Sequence, residues 1–428
     1  MTRETRTRAE PALTRHWRVP PPLLRDAESP GPMGLNVLKE FPSELGTLLW
    51  RTLRTSLTWA QTSPGEREDL YPSNLHDRRV AEILALDVDE EIEEPLMTLA
   101  AVTRNPERVD PSTVGLACSR VGRWAEQDGR RLTAVEFYQA AAVACPSDAW
   151  YALQMGRAAR DRAQHSRAEA WLQRAVGLSR QSRDWDTYIR AYIALGNLMR
   201  RKGAYPAARR NFLKALRRAT RQGLRNVEGM ALHDLFVLEE ECSNPETARE
   251  YARRAVKAYG PGHRLLPQLA HDIGYYWLQR GYYAPALSVF FQVLPRLAGH
   301  AGTIGLGSIA RASGATGDQR SYAWAKERLE ELAVGPGLAE AWVETARGSL
   351  ALGLWDEARD AARKGKALAA ELGEKKVLFL AEGVLQAIHA EERAAVQLRE
   401  STQREADAET RTLQRELIHT LQTSPIPR

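Results

Sequence analysis

The chain has 428 residues, 43% hydrophobic and 27% charged, with a formal net charge of +6. That balance argues against both a membrane-embedded bundle and a fully disordered polymer, and so small a net charge permits an acidic partner without demanding one. Three cysteines, Cys118, Cys145 and Cys242, are far apart and lack CxxC or paired metal-ligand spacing; they fit a reducing cytoplasm better than a disulfide framework.

The first segment, residues 1–42, is basic and proline-rich, with Pro20, Pro21 and Pro22 in succession and little apolar periodicity. It reads as a disordered arm in which Trp17 is an isolated exposed aromatic. It has no apolar core of the kind a secretion signal carries, and no window approaches the roughly eighteen apolar residues of a membrane span, so a cytoplasmic protein is expected. Residues 43–111 read as an N-terminal helical bundle or cap. Ser43 caps a stripe of Leu45, Leu49, Leu53 and Leu57, and the acidic run DVDEEIEEP at 87–95 reads as a solvated helix start, because no calcium-loop spacing accompanies it.

From 112 to 370 the chain repeats itself. LGNLMRRKGAYPAARRNFLKA (195–215) aligns without a gap on IGYYWLQRGYYAPALSVFFQV (273–293), and VGRWAEQDGRRLTAVEFYQAA (121–141) and MGRAARDRAQHSRAEAWLQRA (155–175) follow the same scheme more loosely. Each copy reads as a helix hairpin. In the 195–215 copy Tyr192, Leu195 and Met199 form one helical stripe, Gly203 supplies a left-handed stop, Pro206 opens the second helix, and Ala208, Phe212 and Ala215 form its buried side. A hairpin of this kind leaves an apolar side bare, so copies must stack. The small residue of the first helix gives anchors at Gly122, Gly156, Gly196, Phe236, Gly274, Ala310 and Ala346, spaced at near-regular intervals of which Gly122 to Gly156 is the shortest. Phe236 breaks the small-residue rule and the copy at Ala310 is degenerate.

This pattern resembles the tetratricopeptide repeat family over most of the chain. The resemblance implies an all-α fold, a right-handed superhelical solenoid of about seven stacked hairpins. An N-terminal helical cap and a long C-terminal helix would complete it. It also implies a non-enzymatic scaffold that binds a protein or peptide on its concave side. Two alternatives from other classes are a peptide-responsive sensor-regulator acting through the N-terminal bundle, similar to bacterial peptide-sensing regulators, and a nucleic-acid-binding helical repeat. Residues 371–428 are expected to cap the array with one helical run from Lys375 to Gln422, its Leu413, Leu417 and Leu421 leaving open a short coiled coil and a homodimer.

Counting from the anchors, the groove face should carry Arg120, Arg123, Arg157, Arg160, Arg190, Asn197, Arg200 and Arg201, then His233, Asp234, Glu240, Glu241, His271, Asp272 and Tyr275. Such a face is basic first and acidic further on, suited to a partner of reverse charge order. Asn197 stands where clamp-type relatives hold a terminal carboxylate, but Ile193 occupies the place of the clamp lysine. The His-Asp pairs at 233–234 and 271–272 lack the further ligands a metal would need, and GLGSIA (305–310) lacks the strand a dinucleotide fingerprint requires. No catalytic signature is present, and no cofactor or metal is expected. A protein or peptide is the favoured partner over nucleic acid, and no membrane is expected.

Overall fold

A computed structural model describes residues 34–391 and 404–424. The expected arm therefore lies mostly outside the described residues, Trp17 with it. The described chain is all-α and falls into two compact units, one ending at Val227 and the other starting at Glu228. No helix among the described residues is long and apolar enough to cross a membrane.

The N-terminal unit opens with α1 (Leu35–Glu40), α2 (Glu44–Gln61), α3 (Leu75–Ala85) and α4 (Glu90–Ala101). Residues 35–40 were expected in the arm, yet α1 is fastened to the body. Both Glu40 carboxylate oxygens accept from the backbone N–H groups of Leu132 and Thr133 at 2.8 and 2.7 Å, where a following helix begins. The negative end satisfies two donors that a helix start leaves unpaired. Asn36 donates to Glu136 at 2.8 Å beside it. The acidic run is the first turn of α4, capped by Asp89, which accepts from Glu91 N.

Three hairpins follow in this unit: α5 (Pro111–Gln127) with α6 (Arg131–Ala144), α7 (Ala149–Asp161) with α8 (His165–Ser182), and α9 (Trp185–Arg201) with α10 (Tyr205–Gln222). One packing device recurs in them. A glycine on the first helix lies under a large side chain sixteen positions later: Gly122 under Tyr138, Gly156 under Leu172 and Gly196 under Phe212. A Cβ on Gly196 would be 2.4 Å from the Phe212 ring, so the helices approach as closely as backbone allows.

The C-terminal unit holds four hairpins: α11 (Arg225–Glu241) with α12 (Pro245–Tyr259), α13 (Leu266–Gln279) with α14 (Tyr283–Val293), α15 (Gly299–Thr316) with α16 (Gln319–Glu330), and α17 (Leu338–Ala351) with α18 (Trp355–Glu371). The first three residues of α11 fall on the other side of the unit boundary. Gly274 repeats the glycine device under Phe290. In the Phe236 copy the glycine seat moves two turns earlier, where Gly229 takes the Tyr259 ring, and Phe236 is buried against Tyr276 at 5.7 Å between centroids. GLGSIA lies inside α15. There Gly307 meets the backbone of Ala341, and Gly314 and Gly348 meet backbone in turn, so α15 and α17 touch main chain to main chain. The glycines serve helix packing.

Among the described residues, the run from Lys375 to Gln422 holds two helices, α19 (Lys375–Glu391) and α20 (Ala408–Gln422), with residues 404–407 not helical. Asp407 caps α20 by accepting from Thr410 N at 2.7 Å. α20 lies on α12, α13 and α14, with Leu413, Leu417 and Leu421 at most 1% exposed. Arg249 pairs with Asp407 and Glu409 at its start, and Arg296 donates to the carbonyls of Leu421 and Ser424 at its end. The leucines expected to be available for a coiled coil are therefore spent within the unit.

Candidate functional site

The first helices present comparable faces because each ends at a fixed distance from its anchor. Seven positions after every anchor the backbone has positive φ: Gly129, Ala163, Gly203, Ser243, Gly281, Gly317 and Gly353. That left-handed residue stops the first helix and reverses the chain. It holds for the Phe236 and Ala310 copies as well, so all seven hairpins keep one register.

In the N-terminal unit this register brings arginines together. A cleft of about 350 Å³ is lined by Glu126, Arg131, Ala134, Ala158, Arg160, Asp161 and Arg201. Asp161 is shared by Arg160 at 3.0 Å and Arg201 at 3.1 Å. Glu126 accepts from the Tyr138 hydroxyl at 2.8 Å, and the phenol is pushed up by burial and by that carboxylate. Arg157 is exposed at its surface yet walled in by protein, as a residue in a concave wall is. Burial, then the neighbouring charge of Arg160, lowers its affinity for its proton. Arg123 and Arg157 both lie within electrostatic reach of Tyr138. Three guanidinium groups (Arg131, Arg160, Arg201) thus line the cleft with two carboxylates, and two more (Arg123, Arg157) act on Tyr138 beside it. Arg200 precedes Arg201 in the last turn of α9 and adds to its field. Besides Arg160 and Arg201, two further predicted members are ion-paired: Arg120 with Glu94 of α4, and Arg190 with Asp186 one turn before it. Asn197 is half-buried, and Ile193 is 5% exposed, so no lysine clamp forms around the amide.

In the C-terminal unit the two His-Asp pairs do not stand as parallel copies. His233 of α11 reaches across to Asp272 of α13, Nε2 to Oδ2 at 2.8 Å, and Gln268 donates to the other oxygen at 2.8 Å. His271 Nδ1 is 3.5 Å from Asp272, a longer and weaker approach. Burial would raise the Asp272 carboxyl, but the donors, His233 foremost, hold it well below the usual carboxylate range. His271 corrects the sequence reading: it is 7% exposed, packed against Tyr275 and Phe290 three residues before the Gly274 anchor, and so belongs to the core. Tyr275 is half-buried beside Glu344 and Arg311, and burial pushes its phenol up to about 12. Burial also raises the carboxyl of Glu240, with Glu241 and Asp272 adding to it against Arg280. Asp234 and Glu241 lie on the same helix as His233, α11. Among the described residues no three His, Cys, Asp or Glu are grouped to hold a metal ion.

A small anchor, a left-handed residue seven positions on and a large residue sixteen on, repeated through stacked hairpins, decide the architecture. The chain is an all-α array of stacked helix hairpins, the architecture that the tetratricopeptide resemblance implies. No family model and no curated protein matches it in sequence. Among solved structures it is similar to aspartyl phosphate phosphatase F from Bacillus subtilis, at 12% identity over 85% of this chain and 97% of that one, TM-score 0.44. It is similar also to a Rap protein complexed with competence and sporulation factor, at 9% identity over 82% of this chain and 99% of that one, TM-score 0.44. A third is a signal transduction ATPase with numerous domains and a tetratricopeptide repeat sensor, from Pyrococcus horikoshii. That likeness has 14% identity, covers 73% of this chain and 56% of that one, and has a TM-score of 0.47.

Several residues of this face were missed from sequence. Glu126 and Asp161 stand four and five positions after the anchors Gly122 and Gly156, in the registers of Arg160 and Arg201, and so were open to the same counting, whereas Arg131 lines the cleft from the start of α6, off that stripe. Leu116 and Trp150 are exposed on α5 and α7, at 56% and 38%. Their signal was present: they are separated by the same interval as the anchors Gly122 and Gly156.

Proposed function

We propose that this protein is a non-enzymatic binding scaffold whose first-helix face in the N-terminal unit takes an acidic segment of a partner protein or peptide. The observation that carries this reading is a cleft lined by three guanidinium groups and two carboxylates, with Arg123 and Arg157 close by at Tyr138. Guanidinium forks favour planar carboxylates and form hydrogen bonds about twice as strong as neutral ones. A protein partner is favoured over nucleic acid for two reasons. Glu126 and Asp161 would repel a continuous phosphate backbone. Two of the cations of α10 are laid over aromatic rings of α9, Lys214 over Tyr192 at 4.8 Å and Arg218 over Trp185 at 4.1 Å.

Fluorescence anisotropy with a labelled Glu-rich peptide, a Lys-rich peptide and a single-stranded RNA tests this. The Glu-rich peptide should bind, with affinity falling as salt rises. Tighter binding of the RNA, or no binding of the Glu-rich peptide at low salt, would overturn the reading.

A further inference from the structure

Two large apolar side chains stand on the polar face of the N-terminal unit. Leu116 on α5 and Trp150 on α7 contribute nothing to the buried stripes of their helices, which run through Val114, Cys118, Val121 and Ala125, and through Tyr151, Met155 and Ala159. They are level with each other. The interval from Leu116 to Trp150 equals that from Arg123 to Arg157. Alternate helices of stacked hairpins run in the same direction, so equal intervals put each pair at equal height. α5 and α7 touch at the upper pair, where a Cβ on Gly115 would meet Cys145 Sγ at 2.6 Å and the Tyr151 ring at 2.9 Å. The face therefore has an apolar rung and an arginine rung. They are two helical turns apart, about 10.5 Å.

A peptide extended as polyproline II rises about 3.1 Å per residue with three residues per turn, so this gap corresponds to about three residues whose first and last side chains share one face. We propose that the partner segment is an extended stretch that seats an apolar side chain against Leu116 and Trp150 and sets a carboxylate about three residues away on Arg123 and Arg157. This rests on the acidic-segment reading above and adds the apolar contact and the spacing. α9 continues both rungs by one equal step along the chain, from Trp150 to Arg190 in the apolar rung and from Arg157 to Asn197 in the arginine rung. Arg190 is held by Asp186, which leaves the Asn197 amide as the donor suited to a peptide carbonyl. The chain's own acidic run cannot be the occupant, because Ile92 is fully buried and its neighbours are helical in α4. The occupant in this proposal is a separate protein, acidic with one interspersed large apolar residue.

The probes are fluorescein-labelled Gly-Ser peptides of about twelve residues, ~40 Å extended. Each carries one leucine and a Glu pair, with the separation varied, beside a Glu-only and a Leu-only peptide. Binding should peak at a separation of about three residues, roughly tenfold tighter than the Glu-only peptide, a difference of about 1.4 kcal/mol. Replacing both apolar residues, Leu116→Ser with Trp150→Ser, should abolish that preference and leave Glu-only binding unchanged. Both sites are exposed, and unchanged far-UV circular dichroism will show that the variant folds. If every Glu peptide binds equally at all separations, the apolar rung is wrong and the acidic-segment reading stands. If the Leu-only peptide binds as tightly as the best, or the serine variant keeps the preference, the rung is likewise overturned. If no peptide binds, both readings fall.

Discussion

Replacing Gly196 with alanine sets two effects against each other. In a helix interior alanine is favoured over glycine by about 1 kcal/mol, since the unfolded chain loses less freedom. At Gly196, however, the new Cβ would be 2.4 Å from Phe212 Cε1, about 1 Å inside ordinary contact, and Phe212 is fully buried. The ring must move in a filled core, and overpacking of this kind costs about 1–3 kcal/mol. The net expectation is destabilisation by roughly 0–2 kcal/mol. Gly383 on α19 provides the contrast, because nothing lies within 4 Å of its Cβ position and it is exposed. There Gly383→Ala should stabilise by about 0.5–1 kcal/mol. Urea unfolding followed by circular dichroism measures both, with the transition of each unit fitted separately. Equal stabilisation by the two substitutions would refute the glycine-under-ring account of the hairpin.

Further outcomes follow from other packing sites. Ala163→Gly relieves a non-glycine residue at φ 56°, and should stabilise the N-terminal unit by up to about 1 kcal/mol in the same urea assay. Leu417→Ala removes a fully buried side chain from α20, at a cost of about 2–5 kcal/mol to its docking, and should make residues 408–422 sensitive to brief protease treatment. Glu344 is 1% exposed and paired with Arg311 at 2.8 Å and Arg347 at 2.7 Å, so Glu344→Ala should cost about 3–5 kcal/mol by leaving two cations without their carboxylate. The Asp272 carboxyl is held below its unfolded value, so its contribution is present above the usual carboxylate range and is lost as pH falls through the folded value. The stability gap between the parent and Asp272→Asn should therefore narrow as the solution is acidified through the carboxylate range.

The hairpins were legible in the sequence because their determinants are local. A glycine stop, a proline at the next helix start and a large residue at fixed spacing all fall within one copy, and even the two irregular copies keep the left-handed residue. The arginine face was legible for the same reason, since anchor counting locates a helix face. What depends on the neighbour was not legible. Periodicity marks Leu413, Leu417 and Leu421 as one stripe but does not say which surface covers it, and the cover is α12, α13 and α14. His271 has the same register as a groove residue in sequence, yet it turns toward Phe290. Asp161 acquires its role only when Arg160 and Arg201 from different hairpins meet at it.

The central claim is that position on the first-helix face, and not total charge, selects an acidic partner segment. Anisotropy with one labelled Glu-rich peptide tests it in two matched double reversals. Arg123→Glu with Arg157→Glu changes the face, and Arg210→Glu with Arg217→Glu changes the exposed side of α10 by the same charge. The account predicts a loss of at least about tenfold, or ~1.4 kcal/mol, for the first pair and a loss within about twofold for the second. Equal losses in the two variants, or none in the first, would contradict it.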